Sequence, residues 1–210
     1  FWWLLFPNIA IKGNKMKTIS ISGSIRQSVG KRDAKELRYE GKVPCVLYGG
    51  KEQLHFSVFE ADLKHLVYTP DVYFVDLNVD GKKVQAIMQD IQFHPLTDLI
   101  IHLDFLQLFE DKEVTMLVPV KFTGYSPGVK LGGKLIQKIK KLKVKGFPKN
   151  MLDAIEVSID TLEIGKNIRV SEITLSNLEI LDAKANSIVS VETSRALREA
   201  AAAEAKDVKK

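Results

Sequence analysis

The chain has 210 residues, 45% hydrophobic and 27% charged, with a formal net charge of +5. That length admits one or two domains with a buried core, and that composition excludes disorder throughout. A mild positive excess permits an anionic partner without demanding one, and a single cysteine, Cys45, excludes an internal disulfide or multi-cysteine zinc site and points to a reducing, cytosolic compartment.

Residues 1–15, FWWLLFPNIAIKGNK, hold both tryptophans and no acidic residue. Their apolar part precedes Lys12 and Lys15, the reverse of a secretory signal, and Pro7 interrupts a stretch already too short to span a bilayer. Met16 follows at once and opens a strand pattern. The native chain is therefore expected to begin there, with 1–15 a non-native or disordered extension; a weak interfacial membrane anchor is the alternative.

From Met16 onward the pattern is mostly strands and turns. Ile19 and Ile21 alternate with Thr18, Ser20 and Ser22, a half-buried strand. KRDAKELRYEG (31–41) reads as a short helix stopped by Gly41, and VPCVLYGG as a buried strand ending in a glycine turn. Leu54 to Val58 is a strand. Phe59, Leu63, Leu66 and Val67 form a helical apolar face ended by Pro70 and Asp71. Val72–Val79 and Val84–Phe93 flank Asp80-Gly81, the strongest hairpin signal in the chain. Ile100–Leu108 is a further strand.

Near Phe109–Glu113 the pattern resets. Strands are expected at 114–122, 139–145, 155–159 and 187–193, turn residues at Gly124, Ser126, Pro127 and Gly128, and a short helical piece at 171–174. The organisation implied is a first β domain over 16–108, a second over 109–194, and an Ala/Glu/Lys-rich helical or disordered tail over 195–210.

Charge is focused rather than diffuse. Residues 16–50 carry seven basic side chains against three acidic ones, whereas 16–107 carry eleven against twelve. Such focusing suits a defined RNA site better than a polycationic surface. Lys134, Lys138, Lys140, Lys141, Lys143 and Lys145 form a second dense run, either a set of phosphate contacts or a solvated strand face.

No Walker A loop, GxSxG, HExxH or GxGxxG occurs, and His55, His65, His94 and His102 have no i,i+4 helical spacing for zinc. A Cys45–histidine pair is the one nucleophile arrangement left open, yet Cys45 in an apolar run reads as an inert buried thiol. No catalytic residue, metal, cofactor, membrane or small-molecule substrate is expected. The polar stretch QDIQFHPLTDLIIHLDF (89–105) is the most unusual. Along its last strand Leu99, Ile101, Leu103 and Phe105 alternate with Ile100, His102, Asp104 and Leu106, so His102 and Asp104 share a face about 7 Å apart. This is either an ordinary polar barrel face or a surface that reads base edges. An acid fits an RNA footprint only by accepting from a base or orienting a donor.

The order and spacing of SGSIRQSVGKRDAKELRYEGKVPCVLYGGKE, QDIQFHP and HLDF over 17–106 resemble the bacterial 5S-rRNA-binding proteins of the large ribosomal subunit. VPVKFTGYSPGVKLGGKLIQ, DAIEVSIDTLEIGKNIRVSEI and the tail resemble the long two-domain form known as the CTC or general stress protein type. The resemblance implies a mainly β protein: an N-terminal closed β-barrel with short helices, then a mostly β second domain. It implies a non-enzymatic, cytoplasmic, ribosome-associated component that binds an irregular internal loop of 5S rRNA from the minor-groove side and meets other RNA and protein of the central protuberance. Position by position, Arg26, Lys31 and Arg38 match its basic contacts, Tyr48 the tyrosine ending the LYGG strand, Gln89, His102 and Asp104 its RNA-facing strand residues, and His94 its QFHP motif. Many relatives carry two adjacent basic residues where this chain has Lys35-Glu36, which weakens the local positive field. A protein-binding β-barrel with incidental RNA affinity is the competing class, separable by the salt dependence of binding.

Overall fold

A computed structural model of the chain describes residues 16–50, 52–175 and 177–193; the expectations for 1–15 and 195–210 lie outside them. Two compact units are present among the described residues: one runs to Met116 and takes in Gly146–Asp153, and the other comprises Leu117–Lys145 and the described residues from Ala154 on.

The first unit is built from β1 (Lys17–Ile25), α1 (Lys31–Tyr39), β2 (Lys42–Tyr48), β3 (Leu54–Phe59), α2 (Glu60–Val67), β4 (Tyr73–Val79), β5 (Lys82–Phe93) and β6 (Ile100–Gln107). Its strands close into a barrel in the order β1-β3-β2-β6-β5-β4. The β1–β4 and β2–β6 pairs are parallel and the others antiparallel. Closure removes every sheet edge, which satisfies the ladder without an exposed template for further strands. The alternation seen in the sequence becomes the inside and outside of this barrel. Ile21, Val43, Cys45, Leu47, Phe56, Val58, Val75, Leu77, Leu103 and Phe105 fill the interior. The Phe56 and Phe105 rings meet at 5.8 Å, tilted by 39°, worth about 0.5–1.5 kcal/mol beyond their burial.

Local chemistry explains the boundaries. Asp80 (φ 46) and Gly81 (φ 87) both adopt positive φ, the type I′ geometry that joins β4 to β5 with the correct twist. Gly23 is demanded by packing: a Cβ there would lie 2.8 Å from the Phe56 ring and 3.1 Å from the Ser57 carbonyl. Helix α2 inserts Leu63 and Leu66 into the barrel core. Helix α1 buries no residue fully, and its N-cap, Gly30, offers no side-chain cap.

The second unit takes β7 (Val114–Thr123), α3 (Pro127–Lys130), β8 (Lys134–Gln137), β9 (Lys141–Gly146), β10 (Ile155–Ser158), β11 (Asn167–Arg169), β12 (Leu178–Ile180) and β13 (Ser187–Glu192), with β7 and the last residue of β9 straddling the division. They form a four-stranded sheet, β10-β7-β9-β12, and a three-stranded sheet, β11-β13-β8. Val118, Leu142, Val144, Ile155, Val157, Ile188, Val189 and Val191 are among its core residues. The expected turn at 126–128 is a four-residue helix instead. Pro127 presets the first helical φ, and Ser126 Oγ accepts from the Val129 amide at 3.3 Å. Gly128 is required there by closeness, since a Cβ would sit 2.7 Å from the backbone at Glu163 and Ile164.

Candidate nucleic-acid interface

The registers align one lateral row across the barrel wall. The Arg26 amide donates to His55 O at 3.0 Å; His55 pairs with Val46, Val46 with Asp104, and Asp104 with Asp90. In the adjoining row, Phe56, Cys45 and Leu103 are fully buried. Successive residues of a strand face opposite ways, so the Arg26–Asp104 row faces outward. The early basic segment and the late His/Asp strand thus share one wall.

His102 and Asp104 both lie on its outside, with side chains 25% and 33% exposed, and Nδ1 of His102 is 2.8 Å from Oδ1 of Asp104. The strand repeat places their backbones about 7 Å apart; the side chains lean together to close that gap. Asp104 also lies directly across from Asp90. Like charges in register are unfavourable by a few tenths of a kcal/mol up to about 1, and a solvated wall has no evident need of them. Tyr48 is half-buried on the neighbouring strand. Burial first, then the charges of Asp104 and Asp90, push its hydroxyl above the ordinary tyrosine range. Its hydroxyl, protonated at neutral pH as in any tyrosine, is a hydrogen-bond donor on this wall.

Two β-bulges shape the patch. Met88 pairs with Phe105 and Asp90 with Asp104, which leaves Gln89 unopposed and exposed. Gln92 pairs with His102 and Phe93 with Ile100, which leaves Ile101 unopposed. Its freed carbonyl accepts from Arg38 Nε at 3.1 Å, tying the end of α1 to the start of β6. The second bulge also shifts the inward phase: Ile100 is buried and Ile101 only half-buried, contrary to simple alternation, while Leu103 and Phe105 follow it.

The remaining sequence candidates have distinct settings. Arg26 is turned onto Asp33, with Nε 3.0 Å from Oδ2 and only 7% of its side chain exposed. Lys31 is exposed at the first turn of α1, where a cation opposes the helix dipole. His94 lies in the β5–β6 turn, where its Nδ1 accepts from the Leu96 and Thr97 amides, both at 3.3 Å. Gln89, Tyr48, His102 and Asp104 come together; Arg38 and Lys31 flank them on α1; His94 organises a turn. Sequence reading missed Asp90, Gln92, His55 and Asp33. Only the two bulges, which cancel each other, bring Asp90 opposite Asp104, and nothing in QDIQ announces them.

The one thiol of the chain does not open onto this wall. Cys45 is fully buried, and burial, followed by the charge of Asp104, raises its pKa well above the usual thiol range. Among the described residues no group of three or more His, Cys, Asp or Glu side chains could hold a metal ion, and no helix is long and apolar enough to cross a membrane.

The family model described as the ribosomal L25p family matches residues 21–105, and that of the ribosomal protein TL5 C-terminal domain matches 113–195. Among curated proteins, the large ribosomal subunit protein bL25 of Amoebophilus asiaticus is 50% identical over 196 residues, covering 93% of this chain and all of the relative. That of Azobacteroides pseudotrichonymphae is 45% identical over 87% of this chain and 97% of its own length. The Bacteroides thetaiotaomicron protein of the same name is 45% identical over 91% of this chain and all of its own.

Proposed function

Because the chain belongs to the ribosomal L25p family of large-subunit proteins, we propose that its barrel binds 5S rRNA at an irregular internal loop through the wall described above. As a member of that family it is a structural component of the ribosome in the cytoplasm and not an enzyme.

The observation that carries the reading is the cluster of Gln89, Tyr48, His102 and Asp104, with Asp90 in register, beside the basic helix α1. RNA is rich in backbone phosphates, so carboxylates belong at its surface only where donors meet them. The wide, shallow minor groove displays 2′-hydroxyls and base edges, including the exocyclic amine of guanine, and noncanonical pairs vary those edges. Asp104 accepts from such donors; Tyr48 donates; Gln89 does both. His102, whose Nδ1 faces Asp104, offers its other ring nitrogen to the RNA. Arg38 and Lys31 position the duplex through phosphates without reading sequence. Arg26 acts by bracing the β1–α1 loop through Asp33, and His94 by holding the β5–β6 turn. Other RNA and protein of the central protuberance complete the set of neighbours.

Filter-binding titration tests this. Full-length protein is compared on a 5S rRNA fragment containing the irregular loop and on a fully paired duplex of equal length. Preference for the looped fragment, lost in Asp104→Ala, is expected. Equal affinity for both RNAs, unchanged by that substitution, removes the assignment.

A further inference from the structure

Between Glu113 and Asp153 the chain carries nine lysines and no acidic residue. Ordinary solvated surfaces mix both signs. Four of these lysines, Lys138, Lys140, Lys141 and Lys143, fall on β9 and the bend that leads into it, and all four are exposed. None forms an ion pair with a described residue.

We propose that these four lysines form a second RNA-contacting surface, which grips duplex phosphates without reading sequence. The inference rests on the ribosomal family of the chain and not on the 5S assignment of the barrel wall.

The backbone beneath them is held in place. The Lys138 and Ile139 amides both donate to Ile188 O, at 2.9 and 3.2 Å, and Lys140 O accepts from the Val120 amide at 3.0 Å. Leu142 and Val144 are fully buried, so Lys141 and Lys143 leave the strand on the opposite face, about 7 Å apart by the strand repeat. Two acids lie beside the run, Asp182 and, on the neighbouring strand β12, Glu179; against four lysines they leave it net positive. The Asp182 carboxylate accepts the Lys143 backbone amide at 2.7 Å, and Glu156 stands in register with Lys121. Four mobile point charges on a fixed rail suit phosphate oxygens, which need no planar fork. A protein partner fits poorly. Protein interfaces are depleted in lysine and centre on aromatic or arginine anchors, and 138–143, KIKKLK, offers neither.

The test uses full-length protein and a fully paired RNA duplex of about 20 base pairs, with anisotropy read as a function of KCl. The wild type is expected to bind with a steep salt slope. K138A/K140A/K141A/K143A should lose tenfold or more in affinity at low salt, with a slope shallower by about 0.9 for each phosphate contact removed. The matching Lys→Arg variant should retain binding. The preference ratio for the looped 5S fragment over the plain duplex should survive in the lysine variant and vanish in Asp104→Ala, so each surface fails or stands by its own readout. Should the quadruple variant unfold, K138A/K140A carries the same test at half the slope change. Unchanged affinity and slope in the alanine variants overturn the proposal. So does wild-type affinity for polyglutamate matching that for the duplex, which would mark an acidic protein site.

Discussion

Replacing Asp104 with alanine separates binding from folding. Asp104 is one-third exposed on the outside of the barrel, paired with His102 and facing Asp90. Losing the part-exposed contact with His102 costs about 0.5–1.5 kcal/mol, and removing one of two like charges in register returns up to about 1 kcal/mol. Fold stability should therefore stay within about 1 kcal/mol of wild type. Binding should suffer more. A hydrogen bond to a charged group is worth about 1.5–3 kcal/mol, or about 10- to 150-fold in affinity. Calorimetric titration with the looped 5S fragment, run beside urea denaturation, reads both quantities. Asp104→Asn, which keeps an acceptor but loses the charge, should fall between. A variant whose affinity drops only in step with lost stability, or does not drop, would refute the idea that this carboxylate meets RNA directly.

Arg26→Ala should destabilise the barrel by about 1 kcal/mol, because it removes a nearly buried side chain and its bond to the one-third-exposed Asp33; amide exchange over 27–33 should quicken, and unchanged exchange would deny the bracing role. Cys45 should resist maleimide in the native protein and react only on unfolding. Its raised pKa means the folded state favours the protonated thiol, so this group's contribution to stability is intact below the ordinary thiol value of 9.0 and declines as pH rises past it; urea midpoints between pH 7 and 10 would check the sign. Gly81→Ala should cost about 1–2 kcal/mol through its φ of 87° alone, as nothing lies within 4 Å of the added Cβ.

Much of the architecture was readable from local pattern. Asp80-Gly81 announced its hairpin, and the alternation around Ile21, Leu103 and Phe105 marked the inside of the barrel, because both signals depend on residues adjacent in the chain. Barrel closure was not readable from pattern, since it depends on the parallel β1–β4 and β2–β6 pairs between distant segments; the family resemblance supplied it. Strands β8, β11 and β12, of three or four residues, are too short to carry a period. Pro127-Gly128 resembled a turn because the same residues open a capped helix. At the site, His102 and Asp104 were evident as a pair, but not their 2.8 Å contact, and Asp90 was hidden behind two bulges whose effect on register no residue type betrays. Lys31 and Arg38 were marked by charge; that Arg38 reaches a bulge carbonyl while Arg26 turns inward follows only from tertiary packing.

Amide chemical-shift mapping of the full chain against the looped 5S rRNA fragment tests the barrel wall most directly. Saturable shifts should cluster at Tyr48, Gln89, Asp90, His102, Asp104 and the exposed side of α1. The outer polar face of β1, β4 and β5, with Ser20, Asp76, Asn78 and Gln85, should stay silent, because β4 lies three strands from β2 around the barrel. Shifts centred on that opposite face, with the Asp104 wall unmoved, would contradict the proposed site.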